Sequence, residues 1–294
     1  MKNPRGLSLL RIPEAWLALS FLAFVFPAKA VLFFHTGDTN FNTTPPTHAL
    51  TNSGWQFEGE WVGFNGTVIS SNCFITAQHI GGAVGGLFTF QNVQYPTVTN
   101  YDDPNTDLRI WRVSGQFPIY APLYAKRNEG GKALIVIGRG TQRGDEVRLK
   151  NRLRGWQWGV YDGVQRWGQN RVNGIVTSGK GELLRASFNA GAGRNEATLS
   201  VGDSGGAVFI KDGKFYKLAG INYGVDGPYN TTNSGTGFNA ALFNQRGFYV
   251  ESTPGSGTWE VFPQHTGRIA SSFYATRVSS RMSWITNVLA LPAP

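Results

Sequence analysis

The chain has 294 residues, of which 15% are charged, 38 are glycine and one is cysteine, and its formal net charge is +9. That length holds one large or two small domains with ample core. The glycine content and sparse charge suit strands and turns better than helices, and a lone cysteine excludes any intrachain disulfide.

Residues 1–30 read as a secretory signal peptide. Lys2, Arg5 and Arg11 precede an apolar stretch from Ala15 to Phe26, and Ala28-Lys29-Ala30 has small residues where cleavage requires them. The apolar run is short for a spanning helix, so no stable membrane anchor is expected and the mature chain is placed outside the cytoplasm. Removing these residues takes away four cations and one acid and lowers the charge from +9 to +6. A modest positive charge favours anionic surroundings without identifying a partner.

Residues 31–53, with Thr43-Thr44-Pro45-Pro46-Thr47, read as an irregular N-terminal arm or propeptide. Strands are expected at Trp61–Phe64, Thr67–Ser70, Cys73–Ala77, Leu87–Phe90 and Leu108–Val113, separated by Gly81-Gly82 and Gly85-Gly86. Cys73 sits where a strand would bury it, as a small hydrophobe rather than a reactive thiol. Asn128-Glu129-Gly130-Gly131 reads as a linker, and Ala133-Leu134-Ile135-Val136-Ile137 as the next buried strand. From Val147 to Arg154 the chain alternates, with Arg148, Lys150, Arg152 and Arg154 on one face. Trp156 and Trp158 follow, a combination that single-stranded nucleic acids favour. A strand with one solvated basic face is the preferred reading of the pattern, and no nucleic-acid partner is expected. Near the end, Met282, Ile285, Val288 and Leu289 fall on one helical stripe.

The chemistry concentrates in Val201-Gly202-Asp203-Ser204-Gly205-Gly206-Ala207-Val208-Phe209. Acyl transfer to a serine needs backbone N–H groups aimed at the charge that develops on the attacked carbonyl. Gly202 lets its own N–H and that of Ser204 approach without an intervening Cβ. A glycine-rich hairpin would also explain the motif, but Gly-Asp-Ser-Gly-Gly arises by chance on the order of once per thousand chains of this composition. A serine hydroxyl further needs a base, and the base an orienting carboxylate. His79 closes the apolar run Cys73-Phe74-Ile75-Thr76-Ala77-Gln78-His79, and Asp107 opens the alternating run Leu108 to Val113. Asp102 and Asp103 are rival carboxylates, but they precede Pro104 in a turn context. His35, His48 and His265 have no comparable flanks, and no cluster of Cys, His and carboxylates suggests a metal site.

The order His79, Asp107, Ser204, each at a strand edge, resembles the trypsin/chymotrypsin-like serine endopeptidases. Tyr274 to Ile285 is similar to that family's last strand and C-terminal helix. The resemblance implies an all-β double six-stranded β-barrel with a C-terminal helix, the first barrel over residues 54–127 and the second over 128–294. It implies peptide-bond hydrolysis without a cofactor: Ser204 attacks, His79 carries the proton, Asp107 holds the imidazolium, and the N–H groups of Gly202 and Ser204 receive the oxyanion. It puts Thr198 at the floor of the specificity pocket and Asn222-Tyr223-Gly224 in its wall. Glu196 would enter on a two-residue slip, and Asp226 from the far wall. The family's Ile-Val-Gly-Gly N-terminus is absent, so side-chain or backbone donors must satisfy Asp203. Two other readings use the same residues: a binding module that kept the fold, and an esterase. The motif order runs against the Ser, Asp, His order of α/β-hydrolases.

Overall fold

The computed structural model describes residues 31–251, 255–262 and 269–292; the expected signal peptide lies outside them. The chain is mostly β, with a single α-helix among the described residues. After β1 (Leu32–Phe33), six strands close into a barrel. They are β2 (Glu58–Trp61), β3 (Phe64–Ser70), β4 (Cys73–Ala77), β5 (Leu87–Phe90), β6 (Val93–Asp102) and β7 (Leu108–Val113), in the order β2-β3-β4-β7-β6-β5. Every residue of β4 is buried, and the two faces of one strand explain it. Phe74 points into the barrel among Trp61, Phe88 and Trp111, its ring stacked on Phe88 at 3.8 Å. Cys73, Ile75 and Ala77 point the other way, into a core shared with the second half.

The chain leaves the barrel between Ala121 and Tyr124. Ala121 N still donates to Val68 O at 2.8 Å, while Leu218 N donates to Pro122 O and Tyr124 N to Leu218 O, both at 2.8 Å. Glu129, in the expected linker, is buried against Arg277 Nη2 at 2.5 Å. The second half begins with β8 (Ala133–Gly138), β9 (Thr141–Leu149), β10 (Arg152–Tyr161), β11 (Arg166–Arg171) and β12 (Gly174–Ser178). It continues with β13 (Gly181–Ser187), β14 (Ala197–Thr198), β15 (Ala207–Asp212) and β16 (Phe215–Val225). The last strands are β17 (Tyr229–Asn230), β18 (Ala240–Leu242), β19 (Tyr249–Glu251), β20 (Trp259–Val261) and β21 (Ser272–Arg277). Seven of them form one sheet in the order β11-β8-β15-β16-β21-β13-β12. The sheet curls back on itself: the Asn170 side chain on β11 donates to Ser187 O, at the end of β13, at 3.0 Å and to Ala197 O at 2.8 Å. Two three-stranded sheets, β18-β10-β9 and β17-β19-β20, complete the half.

Two expected strands are hairpin turns. Between β2 and β3 the chain reverses at Val62-Gly63, both with positive φ, so Trp61 and Phe64 face each other across a ladder. The basic run from Val147 to Arg154 likewise reverses at Lys150-Asn151, with φ of 49° and 59°. Two residues at positive φ make the tight hairpin loop whose twist suits its strands. Leu149 then pairs with Arg152, and Arg148 with Leu153, which puts Arg148 and Arg152 on opposite faces rather than in one basic row. Trp156 is buried, so its ring faces the core rather than solvent, and Trp158 is half-buried.

The N-terminal arm is part of the fold. Leu32 pairs with Thr198 and Phe33 with Ala197, and all four are buried. Trp167 Nε1 donates to Thr44 O at 2.9 Å, and Asn42 Nδ2 to Trp167 O at 2.9 Å. At the other end, α1 (Met282–Ala290) buries Ile285 and Val288 in the core shared by both halves. The last carbonyls of a helix lack intrahelical partners. Here the buried Arg112 of β7 supplies them, donating to Leu291 O at 2.9 Å and Val288 O at 3.4 Å.

Glu58 on β2 is buried and accepts hydrogen bonds from Thr67 Oγ1 at 2.7 Å and Asn65 Nδ2 at 3.0 Å. Burial outweighs these bonds and pushes its carboxyl up to about 8 from 4.5. A folded-state value above the unfolded one means the folded chain holds the extra proton. The contribution to stability is complete below about pH 4.5 and is lost as pH rises to about 8. Denaturant unfolding should therefore show a decline of up to about 1.4 kcal/mol per pH unit from this group. In Glu58→Gln that part of the slope should vanish. Equal slopes for the two proteins between pH 5 and 7.5 would refute the assignment.

Candidate active site

β4 and β7 are paired through Ala77 and Leu108, so the residues just beyond that pair meet at one end of the barrel. Gln78 N donates to Asp107 O at 2.6 Å, and His79 N to Asp107 Oδ1 at 3.1 Å. His79 sits in a single 3₁₀ turn, Gln78–Ile80. Its Nδ1 lies 2.5 Å from Asp107 Oδ2 and its Nε2 lies 2.8 Å from Ser204 Oγ. An ionised carboxylate can only accept, so Nδ1 carries the proton and Nε2 offers its lone pair to the serine hydroxyl. Asp107 is 3% exposed, whereas the His79 side chain is 43% exposed. The carboxylate is dry and the imidazole faces the cleft.

The rival carboxylates are engaged elsewhere. Asp102 is gripped by Arg109 Nε at 2.5 Å and Nη2 at 2.8 Å, which holds its carboxyl below the ordinary range. Asp103 accepts from Arg281 Nε at 2.6 Å and Nη2 at 2.7 Å. His35 and His48 are exposed and far along the arm; His265 lies outside the described residues. Among the described residues no group of three or more His, Cys, Asp or Glu could hold a metal ion.

Ser204 stands on a tight turn between two glycines at positive φ, Gly202 at 94° and Gly205 at 77°. A Cβ on Gly205 would lie 2.2 Å from Thr76 Oγ1 and 2.7 Å from Asn65 O, so only glycine lets the turn press against the first barrel. Gly205 N donates to Asn222 O at 3.1 Å. Among the described residues, the N–H groups of Gly202 and Ser204 meet no protein acceptor. Asp203 is buried and is satisfied mainly by backbone donors: Gly140 N at 2.7 Å and Ser200 N at 2.8 Å, with Ser200 Oγ at 3.1 Å. Burial still pushes its carboxyl up to about 6. Gly138 and Gly140 make room for it, since a Cβ on either would strike the Asp203 carboxylate at 2.1 or 2.5 Å. The sequence carried that signal as Gly138-Arg139-Gly140 closing an apolar strand.

Beside Ser204 opens a cavity of about 170 Å³. Asn222, Tyr223 and Gly224 line it, but Thr198 does not. Thr198 is 2% exposed in β14, paired with Leu32 of the arm, and the strand has already ended where the pocket starts. The pocket instead takes Leu199, Ser200 and Val201 from the following turn, with Trp158 and Val225 from β10 and β16. Glu196 and Asp226 are also outside it. Glu196 accepts from Asn189 N at 2.7 Å, and Asp226 from Ser272 N at 2.8 Å and Tyr274 Oη at 2.7 Å. A second, more open cleft lies on the other side of Tyr223 and Gly224, lined by Gln78, His79, Asp107 and Lys180.

No family model matches the sequence, and no curated protein matches it. Among solved structures, the chain is similar to neuropsin, a serine protease expressed in the limbic system of mouse brain. That likeness has 12% identity and a TM-score of 0.48, and it covers 81% of this chain and 96% of that one. It is similar also to kallikrein-related peptidase 10, at 12% identity and a TM-score of 0.43, over 84% of this chain and 99% of the other. At these scores neither likeness bears on the chemistry, which rests on the geometry of the cleft.

Proposed function

We propose that the chain is a secreted serine endopeptidase that cleaves peptide bonds through an acyl-enzyme on Ser204. The observation that carries this reading is His79, which bridges buried Asp107 and Ser204 Oγ at 2.5 and 2.8 Å beside two unengaged N–H groups. As Ser204 Oγ bonds to the carbonyl carbon, its proton passes to His79 Nε2, and the carbonyl oxygen becomes an anion facing the N–H groups of Gly202 and Ser204. Asp107 stabilises the imidazolium. His79 then gives that proton to the departing amine, and a water molecule repeats the sequence to release the acid.

A peptide has a natural place to lie. β16 pairs with β15 only as far as Ile221, and its other edge breaks register between Asn222 and Gly224. From Tyr223 onward one edge of β16 is open beside Ser204, which is the arrangement that captures an extended peptide as an added strand. Secretion is proposed from residues 1–30. Among the described residues no helix is long and apolar enough to cross a membrane. A fluorophosphonate probe, followed by mapping of the modified residue, tests the function: labelling should occur at Ser204 and vanish on His79→Ala. Labelling elsewhere, or none, would overturn the reading.

The pocket walls favour an uncharged side chain on the acyl side of the cleaved bond. Trp158, Leu199, Val201 and Val225 are apolar, and Ser200, Asn222 and Tyr223 add polar but uncharged groups. Asp203 also lines the pocket, but its carboxylate is buried and already engaged by Gly140 and Ser200. A lysine or arginine entering would lose hydration without gaining a free counter-charge. In a panel of peptides varied only at that residue, uncharged apolar side chains should be preferred. A preference for Arg or Lys of more than about tenfold, worth about 1.4 kcal/mol in the transition state, would show that an acid does serve the pocket.

A further inference from the structure

Gly202 is roofed by an aromatic ring. A Cβ built on it would lie 2.4 Å from Tyr161 Cε2 and, on another side, 2.9 Å from Gly140 Cα. Tyr161 ends β10, and its hydroxyl donates to Gly63 O, in the β2–β3 turn, at 2.6 Å. One side chain therefore touches both halves of the molecule and the turn that carries the candidate oxyanion donors. Yet Tyr161 is 44% exposed, so burial of its ring does little to keep it in place.

What holds it follows immediately in sequence. The Asp162 side chain is wholly buried, and Arg166 is 2% exposed. Their ends meet at 3.1 Å through Nη2 and Oδ2, and at 3.3 Å through Nη1 and Oδ1. Val164 N donates to Asp162 Oδ1 at 2.8 Å, and Arg166 Nη2 to Thr39 O of the N-terminal arm at 2.6 Å. A buried ion pair adds little net stability, because desolvation offsets the attraction. What this one does is fix geometry: it closes residues 162–166, directly after Tyr161, into a loop tied to the arm.

We propose that Tyr161 is a positioning residue for the oxyanion site, clamped by the Asp162–Arg166 pair so that its ring sets the orientation of Gly202. The inference rests on the endopeptidase reading. A donor that swings freely must be reoriented as charge develops, whereas a fixed one is already aimed. The ring is the part that presses on Gly202, and the hydroxyl only tethers it to Gly63.

The test compares Tyr161→Ala with Tyr161→Phe in steady-state hydrolysis and in affinity for a peptidyl boronate, whose tetrahedral adduct mimics the charged intermediate. Tyr161→Ala should lower kcat by about 10- to 100-fold, leave KM within about twofold and weaken boronate binding in parallel with kcat. Tyr161→Phe keeps the ring and should restore kcat to within about threefold of wild type. Arg166→Gln, if its Tm shows a folded protein, should resemble Tyr161→Ala. A merely structural role would lower Tm and active fraction but leave boronate affinity per active site unchanged, and that result overturns the proposal. So does Tyr161→Ala with wild-type kcat. If wild type itself neither hydrolyses peptides nor labels at Ser204, the endopeptidase reading fails and this inference with it. If wild type reacts and only the variant results disagree, the inference alone fails.

Discussion

Ser204→Ala should lower kcat for peptide hydrolysis by on the order of 10⁴- to 10⁶-fold, and His79→Ala by a similar factor. The double variant should be little worse than either. The reason lies in the 2.8 Å contact between His79 Nε2 and Ser204 Oγ: on the proposed mechanism the hydroxyl becomes a nucleophile only while the imidazole takes its proton, and every task of the imidazole runs through the acyl-enzyme on Ser204. Two losses that remove one function do not add. The unengaged N–H groups of Gly202 and Ser204 remain in both variants, so residual turnover above the uncatalysed rate is expected. Ser204→Ala retaining a tenth of wild-type kcat would sink the assignment, as would strictly additive losses.

Gly202→Ala should lower kcat by about 10²- to 10³-fold, the loss seen when one oxyanion donor is removed. Two effects combine. Alanine at a φ of 94° is strained by about 1–2 kcal/mol, and its methyl would enter the Tyr161 ring at 2.4 Å with Gly140 Cα close behind. The ring is tethered through its hydroxyl to Gly63 O, and the Gly140 backbone cannot easily retreat, since its N–H is bonded to Asp203. The turn must therefore rotate, and its N–H turns away from the cleft. KM should change less than kcat, because the β16 edge and the far pocket wall of Trp158 and Val225 are untouched. Parallel kcat and Tm measurements decide the matter. An alanine variant that is as stable and as active as wild type would show that this N–H receives no charge.

Which parts of the candidate site could be read in the sequence follows from how local their constraints are. Ser204 was legible because a nucleophile on a tight turn needs glycine on both sides, and His79 and Asp107 because each interrupts an alternating apolar run at its edge. Asp107 rather than Asp102 or Asp103 followed from the same reasoning, and the ion pairs with Arg109 and Arg281 supply the physical cause. Period-two alternation failed where it ran through a tight turn. Val62-Gly63 and Lys150-Asn151 look like strand interior to a pattern count, because a two-residue reversal leaves the alternation almost uninterrupted along the chain while exchanging faces in space.

The meeting of His79, Asp107 and Ser204 was what the family resemblance implied, while composition and spacing by themselves determined the β class, the buried strand β4 and the helical stripe of α1. These depend on residues within a few positions of one another, or on one strand's edge. Only the tertiary structure decided the rest, because it depends on partners far away in the chain. Leu32 covers Thr198 across 166 positions and shifts the pocket floor to Leu199, Ser200 and Val201. Gly140 and Ser200 replace an N-terminal cation as partners of Asp203. Tyr161 reaches Gly202 and Gly63 at once only because the end of β10 meets the β2–β3 turn of the first barrel. No local pattern encodes such contacts, since burial makes them favourable only after the strands that carry them have paired.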